Sequence, residues 1–116
     1  MTPALLTLFS QAQAHRLEHG CSAHPFGDGA ALYDLADKLQ AKHILELGTG
    51  VGYTAVLLAT ACPHAQIDTL EGEMTHVQLA QDLFKRLALE EHTPACRLLC
   101  RHFGATAHRA LQLGFF

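Results

Sequence analysis

The sequence has no tryptophan, few charged residues and no long apolar run. Charged residues make up 16% of the 116 residues and hydrophobic residues 49%, whereas soluble domains typically contain about 25% charged residues. This balance favours a packed globular domain over a disordered chain, because it provides enough apolar surface for a core. No stretch approaches the roughly 20 apolar residues of a membrane span. The N-terminus lacks a basic segment followed by an apolar one, so no signal peptide is predicted.

Cysteine and basic residues are also too few for two common classes of small protein. Four cysteines do not make a disulfide scaffold, so we expect reduced thiols and a cytoplasmic protein. The net charge of −3 excludes a general binder of polyanions. Residues 92–116 contain Arg97, Arg101 and Arg109 and no acidic residue, which is too sparse for a nucleic-acid-binding face. We predict no nucleic-acid or membrane partner.

Two helices are predicted before residue 42. Apolar residues at helical spacing predict the first from Ala4 to His19, ending at Gly20. Asp28 is a suitable N-cap for the second. The inner face of the second helix is predicted to consist of Leu32, Leu35, Ala36 and Leu39.

Short apolar runs then alternate with helical patterns. Strands are predicted at 43–47, 66–70 and 96–100, and helices at 52–61, 75–89 and 105–113. The inward residues of the 75–89 helix are predicted to be Val77, Ala80, Leu83, Phe84 and Leu87. Strands separated by helices favour a parallel sheet with right-handed crossovers, and hence a three-layer α/β fold. The chain forms one predicted domain, 1–116, with helices at 1–41 and the sheet at 42–116.

A glycine loop follows the first predicted strand. Gly48, Gly50 and Gly52 permit a tight turn and close backbone approach to a ligand at the carboxyl end of a strand. A dinucleotide fingerprint would place glycine three residues after Gly50, where this chain has Tyr53. The pattern therefore favours a ligand with an amino-acid portion, whose ammonium Glu46 can hold. A dinucleotide-binding domain is the less favoured alternative.

Glu71 ends the second predicted strand, 21 residues after Gly50. An acidic residue at about this distance binds a ribose in nucleotide-binding α/β folds. Its two carboxylate oxygens match the two ribose hydroxyls. The glycine loop, Glu46 and Glu71 together indicate an aminoacyl nucleoside, a description that fits S-adenosylmethionine.

The string Glu46-Leu-Gly-Thr-Gly-Val-Gly-Tyr-Thr54, followed by Asp68-Thr-Leu-Glu71, resembles class I S-adenosylmethionine-dependent methyltransferases. The similarity extends over about residues 25–100 and is greatest to the small-molecule O-methyltransferase branch that includes catechol and caffeoyl-CoA enzymes. It implies a Rossmann-like α/β/α methyltransferase fold, of which this chain contains the N-terminal half with about three parallel strands. It also implies methylation of a small-molecule hydroxyl.

The resemblance implies specific roles in cofactor binding. Gly48, Thr49, Gly50 and Gly52 would line the methionine part, Tyr53 and Thr54 would flank its carboxylate, and Glu71 would bind the ribose. Gly72 and Glu73 would border the adenine. His102 stands near the place where the family usually has an acid that reads the adenine amino group. That acid is missing here.

No catalytic residue can be assigned from the sequence. The family has a fourth strand ending in an aspartate that ligates magnesium or orients the acceptor, and residues 101–116 contain no acid. The metal is therefore possible in the intact family, but no ligands for it are found. The chain is interpreted as truncated after the third strand, and a non-catalytic cofactor-binding or oligomerisation module is a second hypothesis.

The absent fourth strand has a consequence for assembly. Strand 43–47 would present an unpaired apolar edge. We therefore predict a homo-oligomer, formed through this edge or through the N-terminal helix.

Histidine and cysteine pairs give only weak metal signals. His15 and His19, with His24 nearby, are expected to be solvated residues. Cys96 and Cys100, near His102, lack the two-residue spacing of a zinc motif and are expected to be buried strand cysteines.

Overall fold

The computed structural model describes residues 1–21, 24–87 and 96–98, in which two leading helices precede alternating strands and helices. The elements in chain order are α1 Pro3–His19, α2 Gly29–Leu39, β1 His43–Leu47, α3 Tyr53–Ala61, β2 Gln66–Leu70, α4 Met74–Arg86 and β3 Cys96–Leu98. This is the predicted element order up to β3. The predicted final helix and the last two residues of the third strand lie outside the described residues.

The ends of the two leading helices follow from local capping. The Thr2 hydroxyl accepts a hydrogen bond from the Leu5 amide at 3.3 Å, and α1 ends at Gly20 with a left-handed φ of 59°. The Asp28 carboxylate accepts from the Ala31 amide at 3.2 Å and begins α2 as predicted. Both helices therefore start at side chains that satisfy otherwise unpaired amides.

The described sheet has three parallel strands in the order β1-β2-β3. Glu46 of β1 pairs in register with Thr69 of β2. Since the strands run in one direction, the loops after β1 and β2 emerge at the same edge of the sheet. This edge brings the glycine loop and Glu71 together.

The core is formed around α3, which is buried on nearly every side. It packs against α1, α2 and β2. The largest fully buried side chains are Phe84, Leu5, Leu57, Ile67, Leu70, Thr69 and Cys62. The sequence predicted an interior helix here because its apolar residues show no preferred face.

Three predicted core positions are wrong. Leu35 and Leu39 of α2 are 54% and 67% exposed, and Leu87 is 41% exposed just after α4. Helical periodicity identifies an apolar stripe, but burial also requires an element that covers it, and these three side chains remain largely exposed. Ala36 on the same stripe is buried. No helix in the described part of the chain is long and apolar enough to cross a membrane.

Candidate functional site

The loop after β1 is held against the end of β2 by its own backbone. The amides of Gly48 and Thr49 both donate to the Leu70 carbonyl, at 2.9 and 3.0 Å. Gly48, Gly50 and Gly52 have φ values of 87°, 55° and 96°, a region in which a side chain is strained. The glycine spacing thus encodes a turn that leads directly into α3.

A cavity of about 380 Å³ lies beside this loop. Its volume falls within the range of small-molecule binding sites. The wall contains residues from the glycine loop, α1, the segment before α2, the start of α3, the loop after β2 and α4: Ala12, His24, Pro25, Gly48, Thr49, Gly50, Val51, Tyr53, Thr54, Glu71, Glu73 and His76. Seven of the eleven predicted cofactor-binding residues are in this set: Gly48, Thr49, Gly50, Tyr53, Thr54, Glu71 and Glu73.

Glu71 joins the two loops at the edge of the sheet. One of its carboxylate oxygens accepts from the Gly50 amide at 2.7 Å. The other accepts from the amides of Gly72 and Glu73, both at 2.9 Å. The sequence predicted that Glu71 and the glycine loop share a site, but not that the carboxylate binds the loop itself. Three of its roughly four acceptor positions are already used.

Glu46 occupies a buried hydrogen-bonded chain rather than the described cavity wall. The Thr69 hydroxyl donates to the Glu46 carboxylate at 2.5 Å, and the hydroxyls of Thr69 and Thr49 lie 2.6 Å apart. With Thr69 donating to Glu46, Thr49 donates to Thr69. Burial raises the pKa of Glu46 to about 7, against the opposing effect of the Thr69 hydrogen bond. Glu46 therefore changes charge near neutral pH, and sequence alone gave no sign of this.

Tyr53 makes packing contacts that support the glycine loop. Its ring meets Phe9 of α1 edge to face, with centroids 5.4 Å apart, and its hydroxyl lies so close to Gly29 that a Cβ there would collide with it. Burial raises the pKa of Tyr53. The side chain thus packs the loop against α1 and α2 while it also borders the cavity.

The other predicted site residues take different positions. Gly52 is buried under the loop and caps α3. Gly72 lies outside the cavity wall and contributes its amide to Glu71. His102 lies outside the described residues.

His76 also belongs to the site, although it was not predicted from the sequence, and it is only 5% exposed. Its Nδ1 atom lies 3.5 Å from a Glu73 carboxylate oxygen and 3.9 Å from one of Glu71. The three-residue separation of Glu73 and His76 was the available signal, since residues at this spacing share a helix face.

A magnesium site is not supported by the described residues. Magnesium prefers oxygen ligands, and the described residues bring together only one metal-competent group of three or more side chains, composed of histidine and cysteine. No reaction step can be derived through magnesium.

Two curated proteins are similar to this chain over part of its length. One is a tRNA1(Val) (adenine(37)-N6)-methyltransferase of Glaesserella parasuis serovar 5, 41% identical over 71 residues, covering 60% of this chain and 30% of that protein. The other is a catechol O-methyltransferase of Niastella koreensis, 42% identical over 62 residues, covering 53% and 28%. This chain therefore matches only about a third of the length of such relatives.

The fold resembles solved methyltransferase structures. The SAH-bound Podospora anserina methyltransferase PaMTH1 matches with a TM-score of 0.79 at 19% identity, over 94% of this chain and 46% of that one. The O-methyltransferase TomG of Streptomyces achromogenes, in complex with SAM, matches with a TM-score of 0.70 at 25% identity, over 97% and 47%. The Rossmann-like prediction is confirmed, as is its restriction to about half of the fold. Residues 22–112 also match the family model described as the methyltransferase small domain.

Proposed function

The chain belongs to the methyltransferase small-domain family, and we propose that it binds S-adenosylmethionine in the cavity beside the glycine loop, for methyl transfer to a small-molecule hydroxyl. The observation that carries the proposal is the contact between Glu71 and the Gly50 amide. It places a carboxylate and a set of loop amides on one cavity wall, where a ligand with a ribose and a carboxylate finds both partners.

The charge of the cavity suits this cofactor. The described residues that line it include two acidic side chains, Glu71 and Glu73, and no lysine or arginine. S-adenosylmethionine carries an ammonium and a sulfonium, so a wall with negative charge favours it. The solved neighbours that contain SAM or SAH support the same cofactor.

The roles of the chain's own residues follow from their positions. Amides of the glycine loop would bind the cofactor carboxylate, and Glu71 would accept from the ribose hydroxyls. Since Glu71 already accepts three backbone hydrogen bonds and has roughly four acceptor positions, binding of both hydroxyls requires it to release one of these three amides. That amide is then available to the ligand. The cofactor supplies an activated methyl group, and the protein contributes binding and orientation.

A small-molecule hydroxyl is the preferred acceptor for two reasons. The catechol O-methyltransferase relative and the O-methyltransferase neighbour support it. The chain also has 11 acidic and 8 basic residues, whereas a surface that binds nucleic acid is expected to be basic.

A second candidate acceptor is an adenine of tRNA. It is favoured by the 41% identity to the tRNA1(Val) methyltransferase, over a longer alignment than the catechol enzyme gives. A third hypothesis concerns the whole chain: it is a cofactor-binding or oligomerisation module without catalysis, in keeping with the lack of an assigned catalytic residue. Self-association through strand β1 or α1 remains part of the proposal.

Calorimetric titration with S-adenosylhomocysteine tests cofactor binding. We expect saturable binding by the wild-type chain and loss of binding in Gly50→Trp, because a large side chain would fill the cavity at the loop. Gly27→Trp is the matched control, since Gly27 is exposed and outside the cavity wall. Absence of wild-type binding at high micromolar ligand would overturn the proposal.

Methyl-transfer assays then separate the acceptors. Turnover of catechols, measured with and without magnesium, supports the small-molecule proposal. Turnover of tRNA alone supports the second candidate. Cofactor binding without turnover of either substrate class supports the non-catalytic module.

A further inference from the structure

Two histidines and a cysteine meet where α1 ends near α4. His15 lies in the last turns of α1, Cys21 follows its C-cap, and His76 lies in α4. One candidate ligand atom from each of the three lies within 4.8 Å of the other two. Since His76 is far from the other two residues in sequence, no sequence motif predicts the cluster. His76 is buried, and His15 and Cys21 are partly buried.

The ring nitrogen Nε2 of His15 is buried and has no hydrogen-bond partner among the described residues. The sequence predicted a solvated His15; His19 is indeed exposed, but His15 is not. Burial of an unpaired polar atom is unfavourable. A ligand at this nitrogen would remove that penalty.

Glu73 orients the second histidine. Its carboxylate lies 3.5 Å from His76 Nδ1, which favours Nε2 as the ring nitrogen that binds a metal. A carboxylate beside one ring nitrogen commonly accompanies metal binding by the other. The rings of His15 and His76 are 5.3 Å apart at an interplanar angle of 69°, so they meet at an angle rather than stacking in parallel.

We propose that His15, Cys21 and His76 bind one divalent transition metal ion of the zinc class. Two imidazoles and a thiolate are ligands that zinc prefers, and they are poor ligands for magnesium. On binding, the Cys21 thiol loses its proton to solvent. Zinc–ligand distances of about 2.0–2.3 Å place ligand atoms roughly 3.5 Å apart, so the cluster must contract by about 1 Å. Cys21 directly follows a glycine cap and can make this movement.

The ion would connect α1 to α4. His76 also lines the cofactor cavity, so the metal site would adjoin that cavity. With three protein ligands, the ion would keep a fourth position for water or another small ligand. Metal binding at this cluster requires neither methyl transfer nor cofactor binding.

Cobalt titration of the metal-free, reduced full chain tests the site. Cobalt replaces zinc and gives a thiolate-to-metal absorption band in the near ultraviolet. We expect one equivalent to bind with this band and zinc to displace it. Cys21→Ser should lose the band, and His15→Gln should weaken binding at least about 100-fold, because loss of a supporting contact alone reduces metal affinity 10- to 100-fold.

Two control variants show whether the band arises from these three ligands. His19→Gln keeps all three, and Cys96→Ser/Cys100→Ser removes the cysteines near His102; both should retain the band. Circular dichroism of Cys21→Ser verifies that it is folded, and Cys21 is only partly buried, so a serine is tolerated. A band that survives Cys21→Ser, a band lost in the double variant, or no cobalt binding by the wild-type chain would each overturn the proposal.

Discussion

Gly52→Ala should destabilise the protein by about 3 kcal/mol, because this glycine combines two constraints. Its φ of 96° lies in the left-handed region, where an L side chain costs roughly 1–2 kcal/mol. A Cβ at this position would also lie 3.1 Å from Phe84 Cε1 and 3.2 Å from Leu83 Cδ2. Phe84 is fully buried and has little room to move, so overpacking adds about 1–3 kcal/mol. The lower entropy of the unfolded alanine chain offsets about 0.4–1 kcal/mol.

Thermal unfolding measures this loss. A change of this size should lower Tm by about 12–24 °C, since 1 kcal/mol corresponds to roughly 4–8 °C in a domain near 100 residues. Affinity for S-adenosylhomocysteine should fall as well, because Gly52 begins α3 at the end of the loop that lines the cavity.

Substitutions at two other glycines distinguish the conformational cost from the cost of overpacking. Gly48 has a φ of 87°, and a Cβ added there would meet no atom within 4 Å, so Gly48→Ala should show only the conformational part, about 1 kcal/mol. Gly27 has open space and no such φ, so Gly27→Ala should change stability by less than about 0.5 kcal/mol. If Gly52→Ala is no less stable than Gly48→Ala, overpacking against Phe84 and Leu83 is refuted. If all three match wild type, the conformational cost is refuted too.

Three further predictions concern the site and the sheet edge. Folding raises the pKa of Glu46 from 4.5 to about 7, so the contribution of Glu46 to stability is greatest below about pH 4.5, declines up to about pH 7 and is constant above. Urea unfolding should show that Glu46→Gln removes this decline, which amounts to at most about 3 kcal/mol. A pH profile of stability that is unchanged in Glu46→Gln would contradict the prediction. Glu71→Gln replaces one acceptor oxygen by an amide nitrogen, which should destabilise the protein by about 1.5–3 kcal/mol for each charged hydrogen bond lost. The same substitution should weaken the binding of S-adenosylhomocysteine measured by calorimetry. Wild-type affinity in Glu71→Gln would argue against a role of Glu71 in cofactor binding. Size-exclusion chromatography should show self-association of the wild-type chain, reduced in Leu47→Lys because Leu47 is 48% exposed at the end of β1; a wild-type monomer would refute it.

The strands were predictable because their limits are set locally. His43–Leu47 and Gln66–Leu70 are short apolar runs bounded by residues that end strands, and both match the structure. Whether the apolar face of a helix is buried is not determined by the local sequence. Leu35 and Leu39 satisfy helical periodicity, yet their burial depends on elements that the periodicity does not describe.

The candidate site divides in the same way. The spacing from Gly50 to Glu71 predicted that both serve one site, because parallel strands carry their following loops to one edge. It could not predict that Glu71 accepts from the Gly50 amide, or that Thr69 donates to Glu46, since these depend on side-chain rotamers. The metal cluster was the hardest feature to predict from the sequence, because 55 positions separate Cys21 from His76 and only the packing of α1 near α4 brings them together.

The similarity to both a tRNA methyltransferase and a catechol methyltransferase follows from what this part of the fold contains. The described cavity wall includes loop amides and two acidic side chains, Glu71 and Glu73, which in our proposal bind the methyl donor. In the proposed binding mode Glu71 and the glycine loop contact the cofactor, so the same wall would serve a hydroxyl acceptor or an adenine acceptor. Selection of the acceptor must then depend on residues that close the cavity from the other side. Substitution at Glu71 should accordingly weaken cofactor binding to the same degree whichever acceptor is present, while leaving the choice of acceptor unchanged.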